Sequence, residues 1–123
     1  MIKNADRKDL SEIAIEISEL ACRAREGQLK PSEMEGGSFS VSSLGGIRGL
    51  GFTPIITAPE VAILGVSRAR KEPVWDGEQF RPRLMLPLSL SWDHWAVDGA
   101  AAGRCLAFIA SLLETTERVL TLD

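Results

Sequence analysis

Hydrophobic and polar positions change period several times along the chain, and each change marks an element. From Leu10 to Glu26, Ile13, Ile17, Leu20, Ala21 and Ala24 recur every three or four residues, the spacing that gathers them on one face of an α-helix. Asp9, followed three residues later by Glu12, makes a capping pattern at its start, and Gly27 and then Pro31 stop it. After Gly36 the period falls to two. Phe39, Val41 and Ser43 alternate with small residues in a short strand that enters a loop with glycines at 45, 46, 49 and 51. Phe52–Ile56 reads as a further extended segment, and Val61–Val66 is a nearly unbroken apolar run of strand length. The Asp76-Gly77 pair inside Pro73–Phe80 predicts a hairpin whose flanking strands are antiparallel neighbours.

From Arg83 to Trp92, Leu84, Leu86, Leu88, Leu90 and Trp92 fall on one face, with Met85, Pro87, Ser89 and Ser91 on the other, which predicts one long strand. Pro87 cannot donate to a ladder, so the strand lies at an edge there or the sheet is interrupted by a bulge. Asp98 suits the N-cap of a closing helix from about Ala100 to Glu114, whose apolar surface includes Ala101, Cys105, Phe108, Ile109 and Leu112. The order helix, strands, helix predicts an α/β chain of the α+β two-layer kind: a mixed, largely antiparallel sheet with helices packed on it. No repeat or linker divides it, so residues 1–123 are expected to form a single domain.

Composition narrows the function classes. With 45% hydrophobic and 25% charged residues the chain has the make-up of a globular domain. Its net charge is -3 and its 14 Lys and Arg are scattered, which argues against a nucleic-acid partner. No apolar run approaches the roughly 20 residues that cross a bilayer, and Met1–Asp6 lacks the apolar core of a signal peptide, so no membrane partner and a cytoplasmic location are expected. Cys22 and Cys105 form no CxxC and are expected to be small buried residues.

The one histidine, His94, sits in Ser91-Trp92-Asp93-His94-Trp95-Ala96-Val97-Asp98-Gly99, between the end of a strand and the start of a helix. Such loops are exposed while their flanks are rigid, which suits a catalytic base and equally suits an ordinary hydrogen-bonded loop residue. Asp98, four residues on, can orient His94 or can simply cap the helix, and Asp93 can simply cap the turn. A metal site is not expected, since one histidine with nearby carboxylates falls short of a ligand set. The glycines at 45, 46, 49 and 51 lack the Lys-Ser/Thr that completes a phosphate loop, and no Gly-x-Ser-x-Gly elbow presents a serine.

The stretch Pro82-Arg83-Leu84-Met85-Leu86-Pro87-Leu88-Ser89-Leu90-Ser91-Trp92-Asp93-His94, with Asp98-Gly99, resembles the dihydrolipoamide acyltransferase components of 2-oxo-acid dehydrogenase complexes, most closely the pyruvate-complex branch. Leu10–Ala14, Gly36–Gly45, Phe52–Val66 and Pro73–Gly77 resemble the same family in the same order, so the resemblance covers essentially the whole chain. It implies the C-terminal half of a catalytic domain with a chloramphenicol-acetyltransferase-like fold, built into trimers and a larger core. It further implies an acyltransferase that moves an acetyl or related group between dihydrolipoamide and coenzyme A. Coenzyme A is then a co-substrate, and the lipoyl group is an acyl carrier on a separate domain; the lipoyl domain and other complex components are the implied partners.

Residue by residue, the resemblance maps the thiol-deprotonating histidine to His94 and the serine that hydrogen-bonds the oxyanion to Ser42. Asp98 falls at a position that is Asp or Asn in relatives. Histidine and serine would come from different chains. The family usually has arginine directly after the histidine, where this sequence has Trp95. A silent, trimeric scaffold of the same family is the alternative reading. A further rival is another enzyme sharing the His-x-x-x-Asp-Gly motif, such as a condensation-type acyltransferase.

Overall fold

In a computed structural model, which describes residues 1–45 and 50–119, the chain forms two compact units, Met1–Gly37 and Ser38–Asp123. Gly46 and Gly49 of the expected glycine loop lie outside the described residues.

The first unit is built on helix α1, Leu10–Arg25. Its start is the expected capping box: Glu12 N donates to Asp9 Oδ1 at 2.8 Å, and Asp9 N donates to Glu12 Oε2 at 2.9 Å, so two of the helix's unpaired amides are satisfied reciprocally. Gly27, at φ 69, turns the chain out of the helix. The covered positions Ile13, Glu16, Leu20 and Arg23 are not quite the expected apolar stripe, and Ile17 is exposed. Two of the four are charged because each is used in an ion pair. Lys8 pairs with Glu16, and Arg23 Nη2 reaches Glu33 Oε2 at 2.7 Å, tying the turn Pro31–Glu33 to the helix. Cys22 is exposed, not buried, since it falls off the covered stripe.

The second unit contains two sheets. Strand β1, Ser40–Ser43, runs parallel to β2, Ala62–Val66, and β2 is antiparallel to β5, Leu88–Trp92. Strands β3, Arg70–Trp75, and β4, Phe80–Met85, form a separate hairpin. The three-stranded sheet is mixed, with one parallel and one antiparallel pairing, and across both sheets two of the three pairings are antiparallel, in keeping with the expected mixed, largely antiparallel strand arrangement. Phe52–Ile56 is not a strand; instead it lies across the sheet, where Phe52 and Pro54 cover Gly65.

The expected single strand from Arg83 to Trp92 is divided at Leu86-Pro87. Val66 pairs with Leu88 and Arg70 with Met85, so four residues of advance on one strand match three on the other: a one-residue bulge. Pro87, with no N–H to offer either ladder, occupies it, while its carbonyl accepts from Ser67 N at 3.1 Å. The β3–β4 hairpin is thus the continuation of the β2–β5 ribbon, re-aimed by the bulge. Its loop, Asp76–Gln79, is closed by Asp76 Oδ1, which accepts from Glu78 N and Gln79 N at 3.0 and 2.9 Å, and Gly77 takes φ 107. Those two amides, and then Arg81, hold the Asp76 carboxyl below its ordinary range. Pairing places Trp75 with Phe80 and Pro73 with Pro82 on one face, the two rings meeting edge-on at 5.2 Å.

Register gives the three-stranded sheet two unlike faces. Val41, Leu64, Leu90 and Trp92 share one face, and α2, Gly99–Val119, packs there along β5. Ser42, Gly65 and Ser89 make one row of the other face. Buried apolar side chains among the described residues include Ile63, Leu64 and Ala102, with Pro54 beside Gly65. Ala102 and the half-buried Leu106 and Ile109 give α2 its inner stripe, and Cys105 and Phe108 lie outside it, so Cys105 too is exposed.

Two outcomes follow from this packing. A Cβ on Gly65 would stand 3.0 Å from Phe52 Cζ and 3.2 Å from Pro54 Cδ, and the buried Pro54 ring cannot rotate aside. Gly65→Ala should destabilise the second unit by about 1–3 kcal/mol in urea unfolding, through overpacking. In the first unit, the Arg23 guanidinium, followed by the Lys30 amide, holds the Glu33 carboxyl at about 2, below its ordinary 4.5. A depressed carboxyl contributes stability that is complete above pH 4.5 and is lost as pH falls through 2. Carboxyl-carbon NMR should place the Glu33 midpoint near the lower limit, and a midpoint near 4.5 would dismiss the Arg23 contact in solution.

Candidate active site

The pairing of β2 with β5 does not stop at Trp92. Asp93 N donates to Val61 O at 2.8 Å, carrying the ladder one residue further before the chain turns. The turn is then wound about Asp93. Its carbonyl accepts from Ala96 N at 3.1 Å and Val97 N at 3.0 Å, and its carboxylate Oδ1 accepts from Trp95 N at 2.9 Å. Every backbone polar contact of the turn thus converges on the residue before the histidine, and His94 is left on the outside, exposed.

Two neighbours hold the imidazole. The Trp92 and His94 rings lie 6.1 Å apart at 42°, and His94 Nε2 is 3.8 Å from the point where a Cβ on Gly99 would stand. The ring therefore rests against the bare backbone at the start of α2. Trp92 Cζ2 is 3.9 Å from the same point. Trp92 Nε1 is enclosed with no hydrogen-bond partner among the described residues, so the indole meets this corner through its apolar surface.

Asp98 takes the capping role. Ala101 N donates to its Oδ1 at 2.7 Å, and Ala102 N donates to its carbonyl at 3.1 Å. No hydrogen bond joins Asp98 to His94 among the described residues. The two are brought to one turn-and-cap unit, with Asp98 fixing the helix end on which the imidazole rests. Gly99 and Trp92 are the neighbours that sequence reasoning missed. The signal was present, since a glycine at the first helical position is not a strong helix former and leaves a backbone surface for a ring.

Ser42 is placed elsewhere. It is half-buried on the edge strand β1, in register with Gly65, which in turn faces Ser89 on β5. Two strand spacings of ~4.8 Å and three residues of ~3.3 Å separate Ser42 from Trp92, so those two backbone positions are roughly 14 Å apart. No hydrogen bond joins Ser42 to His94 among the described residues.

The sequence profile of the family described as 2-oxoacid dehydrogenases acyltransferase (catalytic domain) matches residues 1–121. The dihydrolipoyllysine-residue acetyltransferase component of the pyruvate dehydrogenase complex of Cupriavidus necator is 58% identical over 120 residues, 98% of this chain and 22% of the relative. The corresponding Pseudomonas aeruginosa component is 55% identical over 113 residues, 92% of this chain and 21% of the relative. Among solved structures, the dihydrolipoamide acetyltransferase of Azotobacter vinelandii superposes with a TM-score of 0.91 at 54% identity, covering 97% of this chain and 49% of that one. That structure was determined to investigate the roles of a serine, a histidine and an asparagine in its catalytic mechanism. The cubic core of a pyruvate dehydrogenase multienzyme complex matches with a TM-score of 0.91 at 53% identity, again over 97% of this chain and 49% of the other. The chain thus spans about a fifth of the curated relatives and about half of the solved chains.

If Asp98 acts through its cap, substitutions at that position separate cap from charge. Asp98→Ala should cost about 1 kcal/mol of unfolding free energy and Asp98→Asn only a few tenths, measured by urea denaturation, because asparagine keeps the acceptor oxygen.

Proposed function

We propose, since the chain belongs to the 2-oxoacid dehydrogenase acyltransferase family, that it carries the base-bearing part of an acetyltransferase site acting between coenzyme A and dihydrolipoamide. The observation that carries this reading is the presentation of His94: an exposed imidazole on a turn closed by four hydrogen bonds of Asp93, set against the start of α2.

In this mechanism the neutral imidazole accepts the thiol proton of one carrier. A thiol of ordinary pKa near 8.5 is mostly protonated at neutrality, and imidazole is the side chain whose range suits its removal. The thiolate sulfur attacks the acyl carbon of the thioester, and the carbonyl electron pair moves to oxygen. Ser42 of another copy donates its hydroxyl hydrogen bond to that oxyanion. When the tetrahedral species collapses, the second carrier leaves as thiolate and takes back the proton from the imidazolium, so the base is regenerated. Asp98 serves as a positioning residue through the helix cap, and Asp93 does so through the turn.

The reading includes an assembly. The roughly 14 Å between Ser42 and the end of β5 supports a site completed between copies, and the cubic core of the matched complex supports a homotrimer or larger core. A lipoyl-bearing domain and other complex components are the remaining partners, and a cytoplasmic location goes with this chemistry. Residues 1–123 are read as a single domain, the C-terminal part of an acyltransferase catalytic domain, and the family match over residues 1–121 supports this. A second reading, a scaffold that keeps the fold without the chemistry, is favoured by a specific observation: among the described residues buried apolar side chains are few, while Leu84, Phe80 and Trp95 are exposed.

An assay of acetyl transfer from acetyl-coenzyme A to dihydrolipoamide separates the two. The enzyme reading expects His94→Ala to lower the rate roughly 10²–10⁴-fold and Ser42→Ala to cost about 3 kcal/mol of transition-state stabilisation. A parent chain no faster than His94→Ala, both at the uncatalysed background, leaves only the scaffold.

A further inference from the structure

We propose that Glu60 is a positioning residue for His94: its carboxylate accepts the indole N–H of Trp92 and so fixes the ring against which the imidazole rests. This rests on the acyl-transfer reading above and deepens it. Glu60 Oε2 and Trp92 Nε1 are both enclosed, and neither has a hydrogen-bond partner among the described residues. Enclosed polar atoms without a partner are rare, because the unmade bond is costly, and a buried tryptophan N–H ordinarily finds an acceptor. One of these two atoms is an acceptor and the other carries a donor proton, so each is the group that the other lacks.

Their residues flank one interstrand bond. Asp93 N donates to Val61 O at 2.8 Å; Trp92 precedes Asp93, and Glu60 precedes Val61. With Ala62 opposite Trp92, Glu60 stands one strand across and two residues along, roughly 8 Å between backbones, a diagonal that long and aromatic side chains span. Rotation about the Glu60 side-chain bonds closes it, while Glu60 N, donating to Thr57 O at 3.0 Å, holds the backbone. The other charged groups are committed or distant. The carboxylates of Asp93 and Asp98 accept from Trp95 N and Ala101 N. Arg70, whose Nη1 is also enclosed without a partner among the described residues, lies past the far end of β2, beyond ~13 Å of strand. Trp92 passes the restraint on, since its ring lies 6.1 Å from that of His94.

Proton NMR and steady-state acetyl transfer on the full chain test this together, and the single histidine makes the imidazole signals unambiguous. Glu60→Leu removes the acceptor, whereas Glu60→Gln keeps an oxygen there and loses only the charge that strengthens the bond. Glu60→Leu should move the Trp92 indole proton upfield, shift the His94 ring protons and lower kcat roughly 10–100-fold with KM within about twofold. Glu60→Gln should move the indole proton the same way by less, and leave the His94 signals and kcat near the parent. Trp92→Phe, which keeps a ring and loses the N–H, should lower kcat as Glu60→Leu does. An indole proton indifferent to both replacements of Glu60 overturns the proposal. So do His94 signals that stay in place while the indole proton moves, and a Glu60→Leu enzyme with the parental kcat. If Glu60→Leu does not fold, the indole proton of Glu60→Gln decides alone, because that variant keeps the side chain's shape. If the signals respond as expected while the parent transfers no acetyl group, the positioning stands and the acyl-transfer reading fails.

Discussion

The antiparallel pairing of Ala62–Val66 with Leu88–Trp92 is the contact on which the second unit depends, because both of its ends and both of its faces are put to use. Ile63 and Leu64 at its centre are buried, as is Ala102 of α2. At one end the ladder runs on through Asp93 N to Val61 O, which fixes where the chain leaves the sheet and hence where His94 stands. At the other end the unequal advance across Pro87 bends the ribbon and sends the hairpin off in its own direction. A one-residue slip in this pairing would exchange the Leu64, Leu90 and Trp92 face for the Gly65 and Ser89 face. The bare backbone of Gly65, roofed by Phe52 and Pro54, opposes such a slip, since any bulky residue moved there meets two rings.

What this pairing buries is small for the sheet it supports. The two-stranded hairpin shows Trp75, Phe80 and Leu84 at 54%, 67% and 72% exposure, and two strands alone are marginal at best, whereas the three-stranded sheet is backed by α2. The hairpin restrains its edges in another way. Pro73 faces Pro82, so neither strand offers an N–H at that position to an incoming strand. The solved relatives are about twice as long as this chain.

Local rules were legible in the sequence wherever one element decided them. The Asp9–Glu12 box, the Asp76-Gly77 turn and the Asp98 cap each depend on a side chain and amides within three residues, and each formed as its residue type dictates. Long-range choices were not. Period two runs unbroken from Leu84 to Trp92, and only the pairing partner, with its extra residue between Val66 and Arg70, divides that run into two strands. Cys22 and Cys105 carry the composition of buried residues, but each sits off the covered stripe of its helix. The position of His94 followed from its strand-to-helix setting. Its contact with Gly99 did not, because it requires the exit angle set by Asp93, which no spacing encodes.

Within this chain the imidazole is oriented in a way that differs from a base steered by a carboxylate. In a serine-protease triad an aspartate bonds one ring nitrogen and selects the tautomer. Here the two nearest aspartates are committed elsewhere: the carboxylate of Asp93 to Trp95 N, and that of Asp98 to Ala101 N. Orientation comes instead from shape, through the Trp92 ring on one side and the bare Gly99 backbone on the other. Both aspartates still act on the ring, since one fixes the turn and the other fixes the helix end, and neither action requires a charge beside the imidazole. A position that needs only a capping oxygen can be filled by asparagine as well as by aspartate. Among the described residues neither nitrogen of the His94 imidazole has a hydrogen-bond partner, and its orientation depends on the Trp92 ring and the Gly99 backbone alone.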